Sequence, residues 1–295
     1  MTSARSYSRP FLWMLPMLAM LAAFYLYPLM DVVRLSFTNT STLEPGFKYT
    51  LGSYIKTFQD PDFYHSIYIS VIFVSTNLVF QTVLGLLIAT LLNAGIRRQL
   101  FGTVLTRTAV LSAWMVPGVL VGIVWRMLLS SSSFGIVNYL LDAIGAHKVQ
   151  FLVQPRLALL SIIVANIWRG TAFTMILQYA GLQRIPDELY EAADVDGASG
   201  PQKFFLITIP QLRPIIFINL VLITIYTFNT FDMVIALTGG GPARTTQVLT
   251  LSAYEQVFGF FSLGRGSAIA VILLLINLTM AMLYYRLILA GQEQK

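Results

Sequence analysis

Carboxylates are concentrated in one short segment of this chain. Five of its thirteen acidic residues fall within ten positions, although only 11% of all residues are charged. These five are Asp187, Glu188, Glu191, Asp194 and Asp196. Like charges three or four residues apart on a helix repel, and the small Ala192 and Ala193 offer no large apolar face for packing. The chemistry that fits is ion pairing with a basic groove on a docking partner. A solvated helix that only links two membrane spans is the alternative.

The residues around the acids predict the element that holds them. Pro186 suits the first turn of a helix, where its missing N–H has no intrahelical partner anyway. The first two acids lie in the same turn and complement the positive end of the helix dipole. Gly197 suits the left-handed conformation that commonly ends a helix. The pattern predicts a helix over about 186–196, a turn over Gly197–Pro201 and a second helical segment over Gln202–Ile209, outside the membrane.

A second polar pattern lies inside an apolar segment. Tyr226, Thr227 and Thr230 follow Asn219 by 7, 8 and 11 positions, spacings that put all four on one face of a helix. One aromatic ring, two hydroxyls and an amide suit a sugar, because its C–H faces stack on the ring and its hydroxyls form hydrogen bonds. Threonines that bond to their own helix, beside a tyrosine in ordinary packing, are the alternative.

An arginine lies in the middle of another apolar segment. Arg169 follows Trp168, precedes Gly170, and has Asn166 and Phe173 about one turn away on either side. An unpaired arginine there costs at least about 2.5–3.5 kcal/mol on insertion scales. It therefore needs a carboxylate, carbonyl groups or an aqueous pathway. Asp232 is the other charge predicted inside a span and is a possible partner, although a second subunit or the outer surface could equally account for it.

Several other chemistries are excluded by the sequence. The phosphate-binding pattern G-x-x-x-x-G-K-[ST] is absent, and "GASGPQK" at 197–203 has the wrong spacing. His65 and His147 are far apart in predicted loops, which makes a metal site improbable. No Ser/His/Asp set is arranged for nucleophilic catalysis, and there is no cysteine to form a disulfide. No basic cluster with exposed aromatic residues indicates nucleic acid. Energy must then come from a partner.

The composition is that of a membrane protein. Hydrophobic residues make up 56% of the 295 positions, and the mean hydropathy is +0.72, whereas soluble domains have roughly 45–50% apolar residues. A bilayer needs about 20 apolar residues per helix. Six stretches qualify: about Phe11–Met30, Ser66–Leu92, Thr108–Trp125, Leu157–Ala180, Pro214–Leu237 and Ser267–Leu289. The first is long and holds bulky side chains, so we interpret it as an uncleaved anchor.

The distribution of Lys and Arg predicts the orientation. With the N-terminus in the cytosol, inner segments carry ten basic residues, including Arg5, Arg9 and Lys295, and outer segments carry eight. The short connection Asn93–Arg107 alone holds three arginines. Both termini and the acidic segment are then cytosolic. The net charge of +6 is spread over loops, where anionic lipid headgroups are the expected contact.

Three outer connections have distinct patterns. The first has turn signals at Glu44-Pro45-Gly46 and at Asp60-Pro61. The second contains "FGIVNYLLDAIGA", 134–146, whose apolar residues recur at helical spacing and predict a short amphipathic helix on the outer face. The third contains "TGGGPARTT", 238–246, which is either a flexible connector or a backbone surface that a partner approaches closely. No internal repeat is visible, unlike in many secondary transporters.

The acidic segment also resembles a known signature. Glu191-Ala192-Ala193, three residues, Gly197, nine residues and Ile207-Thr208-Ile209-Pro210 match EAA-x3-G-x9-I-x-L-P, with isoleucine for leucine as the one departure. This signature marks permease subunits of binding-protein-dependent ABC importers. The segments "AGLQRIPDELYEAADVDGAS", "FGIVNYLLDAIGA" and "FDMVIALTGGGPARTT" resemble the carbohydrate branch of that family, such as permeases for maltose, glycerol 3-phosphate and trehalose.

The resemblance implies an all-α, polytopic membrane protein with six transmembrane helices, a type I importer core of five helices plus an N-terminal helix. The expected divisions are residues 1–65 for the tail, first helix and outer loop, 66–290 for the core with a coupling element at 184–213, and 291–295 for the C-terminal tail. The implied function is ATP-driven import of a sugar, for example a disaccharide such as trehalose or maltose, across the cytoplasmic membrane. A polyol phosphate or another small polar solute is the alternative within this class, and an ion-coupled secondary transporter using Arg169 and Asp232 is the alternative outside it.

The implied partners are a second permease subunit, two cytosolic ATPase subunits and an extracytoplasmic substrate-binding protein. No cofactor is expected in this chain, since ATP and Mg would be bound by the partner ATPase. The expected ATPase contacts are Asp187, Glu188, Tyr190, Glu191, Ala192, Ala193, Asp194 and Gly197. The predicted substrate pathway comprises Asn166, Arg169, Gly170, Phe173, Asn219, Tyr226, Thr227, Thr230 and Asp232.

Overall fold

The computed structural model describes residues 8–44, 46–132 and 135–292. Pro45 of the first turn signal, Ser133 and Phe134 before the amphipathic helix, and Arg5 and Lys295 of the charge count lie outside the described residues. Within those residues the regular secondary structure is helical apart from one β-bridge between Thr38 and Tyr49.

Fourteen α-helices occur in the described part of the chain, and two π-helical turns interrupt them at Ala22–Leu26 and Phe204–Thr208. They are α1 (Ser8–Leu21), α2 (Tyr27–Ser36), α3 (Gly52–Gln59), α4 (Pro61–Arg97), α5 (Thr103–Met115), α6 (Gly118–Leu128), α7 (Ile136–Ala143), α8 (Pro155–Leu182), α9 (Asp187–Val195), α10 (Gly200–Lys203), α11 (Ile209–Phe228), α12 (Asp232–Leu237), α13 (Leu249–Phe258) and α14 (Leu263–Gln292).

Five helical segments of the described residues are long and apolar enough to cross a membrane, and a sixth is a bent pair. The five are Trp13–Ser36, Pro61–Arg97, Pro155–Leu182, Gly200–Phe228 and Leu263–Leu287. Counting the bent pair as one span gives six, so the prediction of an all-α protein with six membrane helices is confirmed. The bilayer accepts helices because all their backbone groups are bonded within the segment.

The third predicted span is not one straight helix. Helices α5 and α6 meet at 102°, with the break at Val116 and Pro117. A proline disfavours the helical conformation of the residue before it, and Val116 is accordingly extended, with φ −72° and ψ 126°. The prediction of an unbroken span over Thr108–Trp125 was therefore wrong, and Pro117 is the residue that breaks it.

The fifth span is shifted relative to its prediction of Pro214–Leu237. It begins at Gly200 and ends at Phe228, so the segment predicted as a separate cytosolic helix is continuous with the span. The π-helical turn Phe204–Thr208 makes this possible. There Ile209 donates its N–H to the carbonyl of Phe204, five residues back, and this wider turn precedes Pro210, whose ring would clash with the carbonyl four residues back in a regular helix.

Asp232 consequently does not lie inside a span. Helix α11 ends at Phe228. Asp232 begins the short helix α12, where its charge complements the helix N-terminus. A Cβ on Gly118 would overlap the Asp232 carboxylate, so that carboxylate lies against the start of α6. The next residues of α12, Met233 and Val234, are fully buried and join one hydrophobic core with Ile162 of α8.

A second core stabilises the opposite end of the same spans. Met175 and Leu182 of α8, Ala89 of α4 and Leu212 of α11 are buried together. Tyr190 of the acidic helix packs against this cluster. The acidic helix is thus attached to the body of the protein by an apolar contact that the sequence analysis did not anticipate.

The chain divides into two compact units. The smaller comprises the described residues of Met1–Phe63 together with Ser252–Leu274. In it, an ion pair joins Asp60 and Arg265, and the Ser53 hydroxyl donates to the Thr38 carbonyl at 2.6 Å. The larger comprises Tyr64–Leu251 and the described residues from Leu275 onward, and contains both hydrophobic cores.

The predicted amphipathic helix is confirmed as α7. Its exposed residues include Ile136, Tyr139 and Leu140. On the other face, Asn138 is buried and donates to the carbonyls of Ser130 and Val149, both at 3.0 Å. The amide N–H of Val149 donates to the Asn138 Oδ1 at 2.8 Å. One asparagine therefore fixes the helix to the two segments that flank it.

The glycine-rich connection is ordered by its own hydrogen bonds. Thr246 is fully buried, its hydroxyl lies 2.7 Å from that of Thr238, and it donates to the carbonyl of Gly241 at 2.8 Å. Gly240 is buried with φ +86°, a left-handed conformation that favours glycine. These contacts favour the interpretation of a defined backbone surface over that of a flexible connector.

Candidate functional site

A cavity of about 250 Å³ lies between α4, α5, α8 and α11. Its lining combines hydrogen-bonding and aromatic side chains: Gln81, Trp114, Asn166, Arg169, Gly170, Phe173, Ile223, Tyr226, Thr227 and Thr230. No lining residue is acidic. The cavity can therefore accept a small polar ligand through amides, hydroxyls and a guanidinium, with aromatic rings against its apolar faces.

Three aromatic rings form one side of this cavity. Phe173 of α8 is in the middle, 5.5 Å from the Trp114 ring and 5.6 Å from the Tyr226 ring between centroids. The second pair meets edge to face, at 79°. Tyr226 remains 56% exposed, so its ring is available for a further contact. The break at Pro117 ends α5 just after Trp114 and so limits how far this aromatic row extends.

Buried amides form the other side. The Gln81 Nε2 donates to the Asn77 Oδ1 at 2.9 Å and to the Asn166 carbonyl at 3.1 Å. Asn166 donates through Nδ2 to the same Asn77 oxygen at 2.8 Å, and Asn77 donates to the Phe73 carbonyl at 2.7 Å. This network joins α4 to α8 and holds Gln81 against Gly170, where a Cβ would overlap the Gln81 carboxamide.

Arg169 lies beside this network and lines the cavity. Its Nε is buried and has no hydrogen-bond partner among the described residues. Of the ion pairs found in the same residues, none joins Arg169 to Asp232, whose carboxylate lies at Gly118 instead. The hypothesis of a direct Arg169–Asp232 pair thus receives no support from the geometry, whereas a polar cavity around Arg169 is present.

The structure brings together most, but not all, of the predicted pathway residues. Tyr226, Thr227 and Thr230 share the cavity, although Thr230 also donates to the Tyr226 carbonyl at 2.9 Å, as the back-bonding alternative proposed. Asn219 is fully buried, does not line the cavity, and has no described partner for its amide. It lies about two turns before Tyr226, toward the N-terminus of α11.

The sequence analysis missed two amide side chains at the cavity, Gln81, which lines it, and Asn77, to which Gln81 donates, and it also missed the lining residues Trp114 and Ile223. Asn77 and Gln81, one turn apart, supply the amides of the second span, so the rule that polar side chains in a span face a cavity or partner would have identified them. Trp114 was harder to identify from the sequence, because its place in the aromatic row depends on the bend at Pro117.

The acidic helix α9 forms a separate candidate surface. Its C-terminal end is a Schellman motif, in which Gly197 has φ +75° and Ala198 donates to the Ala193 carbonyl at 2.9 Å. Its Tyr190 hydroxyl lies 2.8 Å from that of Thr208, and the ring lies under the Arg97 guanidinium at 5.5 Å. The predicted left-handed cap at Gly197 is confirmed, and Tyr190 attaches the helix to the span that follows it.

Two of the acids are paired within the chain. Asp187 lies 2.6 Å from Arg97, and Asp194 lies 2.5 Å from Lys203. Internal pairing of these two acids was not predicted from the sequence. Glu188 and Glu191 are exposed and make no ion pair with another described residue. The free carboxylates of this surface are concentrated on these two glutamates and on Asp196.

Fold and cavity together define a polytopic α-helical permease. A family model described as the binding-protein-dependent transport system inner membrane component matches residues 81–288, and the chain belongs to this family. It is 33% identical over 277 residues to the trehalose/maltose transport system permease protein MalF of Thermococcus litoralis, covering 94% of this chain and 92% of that one. It is 30% identical over 283 residues to the sn-glycerol-3-phosphate transport system permease protein UgpA of Brucella abortus, covering 95% and 94%.

A solved structure agrees with these relatives. The chain matches a bacterial ABC transporter involved in the import of the acidic polysaccharide alginate, with a TM-score of 0.78, 25% identity and coverage of 94% of both chains. The resemblance to permeases of carbohydrate ABC importers is thereby confirmed. The chain is a transport subunit and a multi-pass membrane protein of the ABC transporter family.

Gly170→Ala tests the amide network that forms one side of the cavity. The added methyl group would displace the Gln81 carboxamide, so we expect a loss of about 1–3 kcal/mol of stability. In a Gln81→Ala background the same methyl group has room, and the loss should be smaller. Thermal unfolding in detergent measures all four members of this cycle. Equal losses in both backgrounds would show that the two residues do not interact.

Proposed function

We propose that this chain forms part of the membrane pathway of an importer for a sugar or a closely related polyol. The observation that carries the proposal is the cavity lined by Tyr226, Phe173 and Trp114 on one side and by Gln81, Asn166 and Arg169 on the other. Sugars present both C–H faces and many hydroxyls, and this lining offers aromatic rings and directed hydrogen bonds at the same place. The names of the relatives, which cover trehalose/maltose and glycerol 3-phosphate, support this class of substrate.

A phosphorylated polyol is the second candidate. Arg169 lines the cavity, no acidic residue does, and its Nε has no described partner, so a ligand anion would find one there. A guanidinium binds phosphate through charge-assisted hydrogen bonds. Arg169 is therefore the residue that would favour an anionic over a neutral substrate. Measuring uptake of both kinds of substrate distinguishes the two candidates.

We further propose that α9 docks to a cytosolic ATPase subunit, with a second permease and an extracytoplasmic binding protein completing the importer. Glu188 and Glu191 are exposed on α9, and the internal ion pairs of Asp187 and Asp194 leave these two available to a basic partner surface. The Tyr190 hydroxyl contacts that of Thr208, the residue immediately before α11, so a force applied to α9 would reach α11 directly.

Tyr226→Ala tests the substrate role of the cavity. Losing one exposed ring and one hydroxyl should lower uptake at subsaturating sugar by about thirtyfold, since the two contacts contribute about 1 kcal/mol each. Uptake of labelled sugars by the assembled transporter in vesicles gives the measurement. Tyr285→Ala, which removes a 62% exposed tyrosine outside the cavity, is the matched control. Unchanged uptake of every sugar by the Tyr226 variant would remove the cavity from the pathway.

Glu191→Lys tests the docking surface. A lysine facing a basic partner groove should repel it at a cost of several kcal/mol, so we expect ATP-driven uptake to fall more than about tenfold while the chain still inserts. Asp142→Lys makes the same charge reversal on the exposed face of α7 and should leave uptake unchanged. Normal uptake by the Glu191 variant would contradict docking through this residue.

A single cysteine at Ala243 tests the orientation. The chain has no native cysteine, and Ala243 is exposed in the connection after α12. If the N-terminus is cytosolic, an impermeant thiol reagent should label Ala243→Cys from outside and Glu188→Cys only after the membrane is opened. The reverse pattern of labelling would overturn the predicted topology.

A further inference from the structure

A second, larger cavity lies on a different part of the same spans. It is a groove of about 740 Å³ lined by twelve residues of α4, α5, α6 and α8, and only two of these, Thr106 and Thr171, are polar. Its walls include Leu105 and Ala109 of α5. None of the twelve is shared with the polar cavity. A groove with this lining, between helices that cross the membrane, suits a hydrocarbon chain.

One end of the groove is basic. Helix α4 ends at Arg97, and α5 begins at Thr103, so Arg98 lies in the connecting turn and Arg107 lies one residue after the groove residue Thr106. Arg98 and Arg107 are exposed, and neither makes an ion pair with another described residue. Their neighbour Arg97 is different, because it is already paired with Asp187.

The sequence around the groove supplies no compensating charge. Between Asp62 and Asp142 the chain contains no acidic residue at all. Asp187 of α9 reaches this turn but is paired with Arg97, so neither Arg98 nor Arg107 has a carboxylate partner among the described residues. The turn itself exposes large apolar side chains, with Leu100 at 56%, Phe101 at 107% and Leu105 at 74% of their full exposure.

Arginines beside exposed apolar side chains are typical of a segment at the headgroup level of a bilayer. Basic pockets between transmembrane helices bind the headgroups of anionic lipids. Here the basic turn adjoins the apolar groove. This arrangement matches the charged phosphate group and the apolar acyl chain of one phospholipid molecule.

We propose that this groove binds one anionic phospholipid, with its phosphate group at Arg98 and Arg107 and an acyl chain between α5 and α8. A neutral lipid would fill the apolar part but leave both guanidinium groups without a full counter-charge. A transmembrane helix of a partner would cover the groove but would need an acid at the level of the turn. The combined shape and charge favour the anionic lipid.

The chain carries its own reporters for a test. Trp125 and Trp168 both line the groove, with ring centroids 6.2 Å apart. The other two tryptophans, Trp13 and Trp114, do not line it and can be replaced by phenylalanine. The full chain with these two replacements is reconstituted in phosphatidylcholine vesicles, and bromine-labelled phosphatidylglycerol or phosphatidylcholine is added at equal low fractions. Bromine quenches tryptophan fluorescence on contact, so quenching reports which lipid occupies the groove.

We expect brominated phosphatidylglycerol to be preferred over brominated phosphatidylcholine in the groove. Each arginine should contribute about fivefold to this preference, equivalent to about 1 kcal/mol. The double variant Arg98→Gln/Arg107→Gln should therefore abolish it. Arg156→Gln, which removes an exposed arginine at the first turn of α8, away from this end of the groove, should leave it unchanged.

A groove-filling variant tests the acyl-chain half of the proposal. Ala109→Phe places a ring in the groove and should reduce quenching by the anionic lipid at least about fivefold. Ser112→Phe adds the same bulk to an exposed position of α5 that does not line the groove and is the matched control. Thermal unfolding of each variant verifies that it is folded before quenching is compared.

Three results would overturn the proposal. Equal quenching by both lipids would mean that the groove holds bulk lipid without selection of charge. Quenching by neither lipid would mean that protein covers the groove. Preference for the anionic lipid that survives in the double arginine variant would place the phosphate elsewhere and would equally contradict it.

Discussion

The structure depends on one constraint, that a polar group buried in an apolar span costs free energy unless it is bonded within the protein or faces a cavity. Asn77, Gln81 and Asn166 meet it by bonding to one another, and this joins α4 to α8. Arg169 meets it by facing the polar cavity that the network borders. The same groups therefore join the helices and create the candidate site, which explains why the amides of the second span and those of the fourth occur at the same depth.

Two prolines shape the spans around that site in different ways. Pro117 breaks the third span, and the carboxylate of Asp232 lies against the new helix start at Gly118. Pro210 instead follows a π-helical turn and leaves the fifth span continuous from Gly200 to Phe228. The difference follows from the local backbone, because a wider turn removes the clash of the proline ring that would otherwise end the helix.

The acidic helix carries its proposed docking residues and its anchoring residues within the same nine positions. Tyr190 bonds to Thr208 and packs on the core, while Asp187 and Asp194 pair with Arg97 and Lys203. These contacts fix the helix, so Glu188 and Glu191 are held in place before any partner arrives. Docking of a preorganised surface loses less conformational entropy than docking of a mobile one.

The sequence by itself determined the class of the protein, the number of spans, and the acidic helix with its glycine cap, because apolar length and capping residues act locally. It also singled out Arg169 and the Tyr226 face, since polar side chains are rare in a span, and Phe173 as a residue one turn from Arg169. Only the tertiary structure decided that Asn219 is buried away from the cavity, that Asp232 lies at Gly118, and that Asn77 and Gln81 meet Asn166 beside the cavity. These outcomes depend on which helix faces meet, and a periodicity within one helix carries no information about the helix across from it.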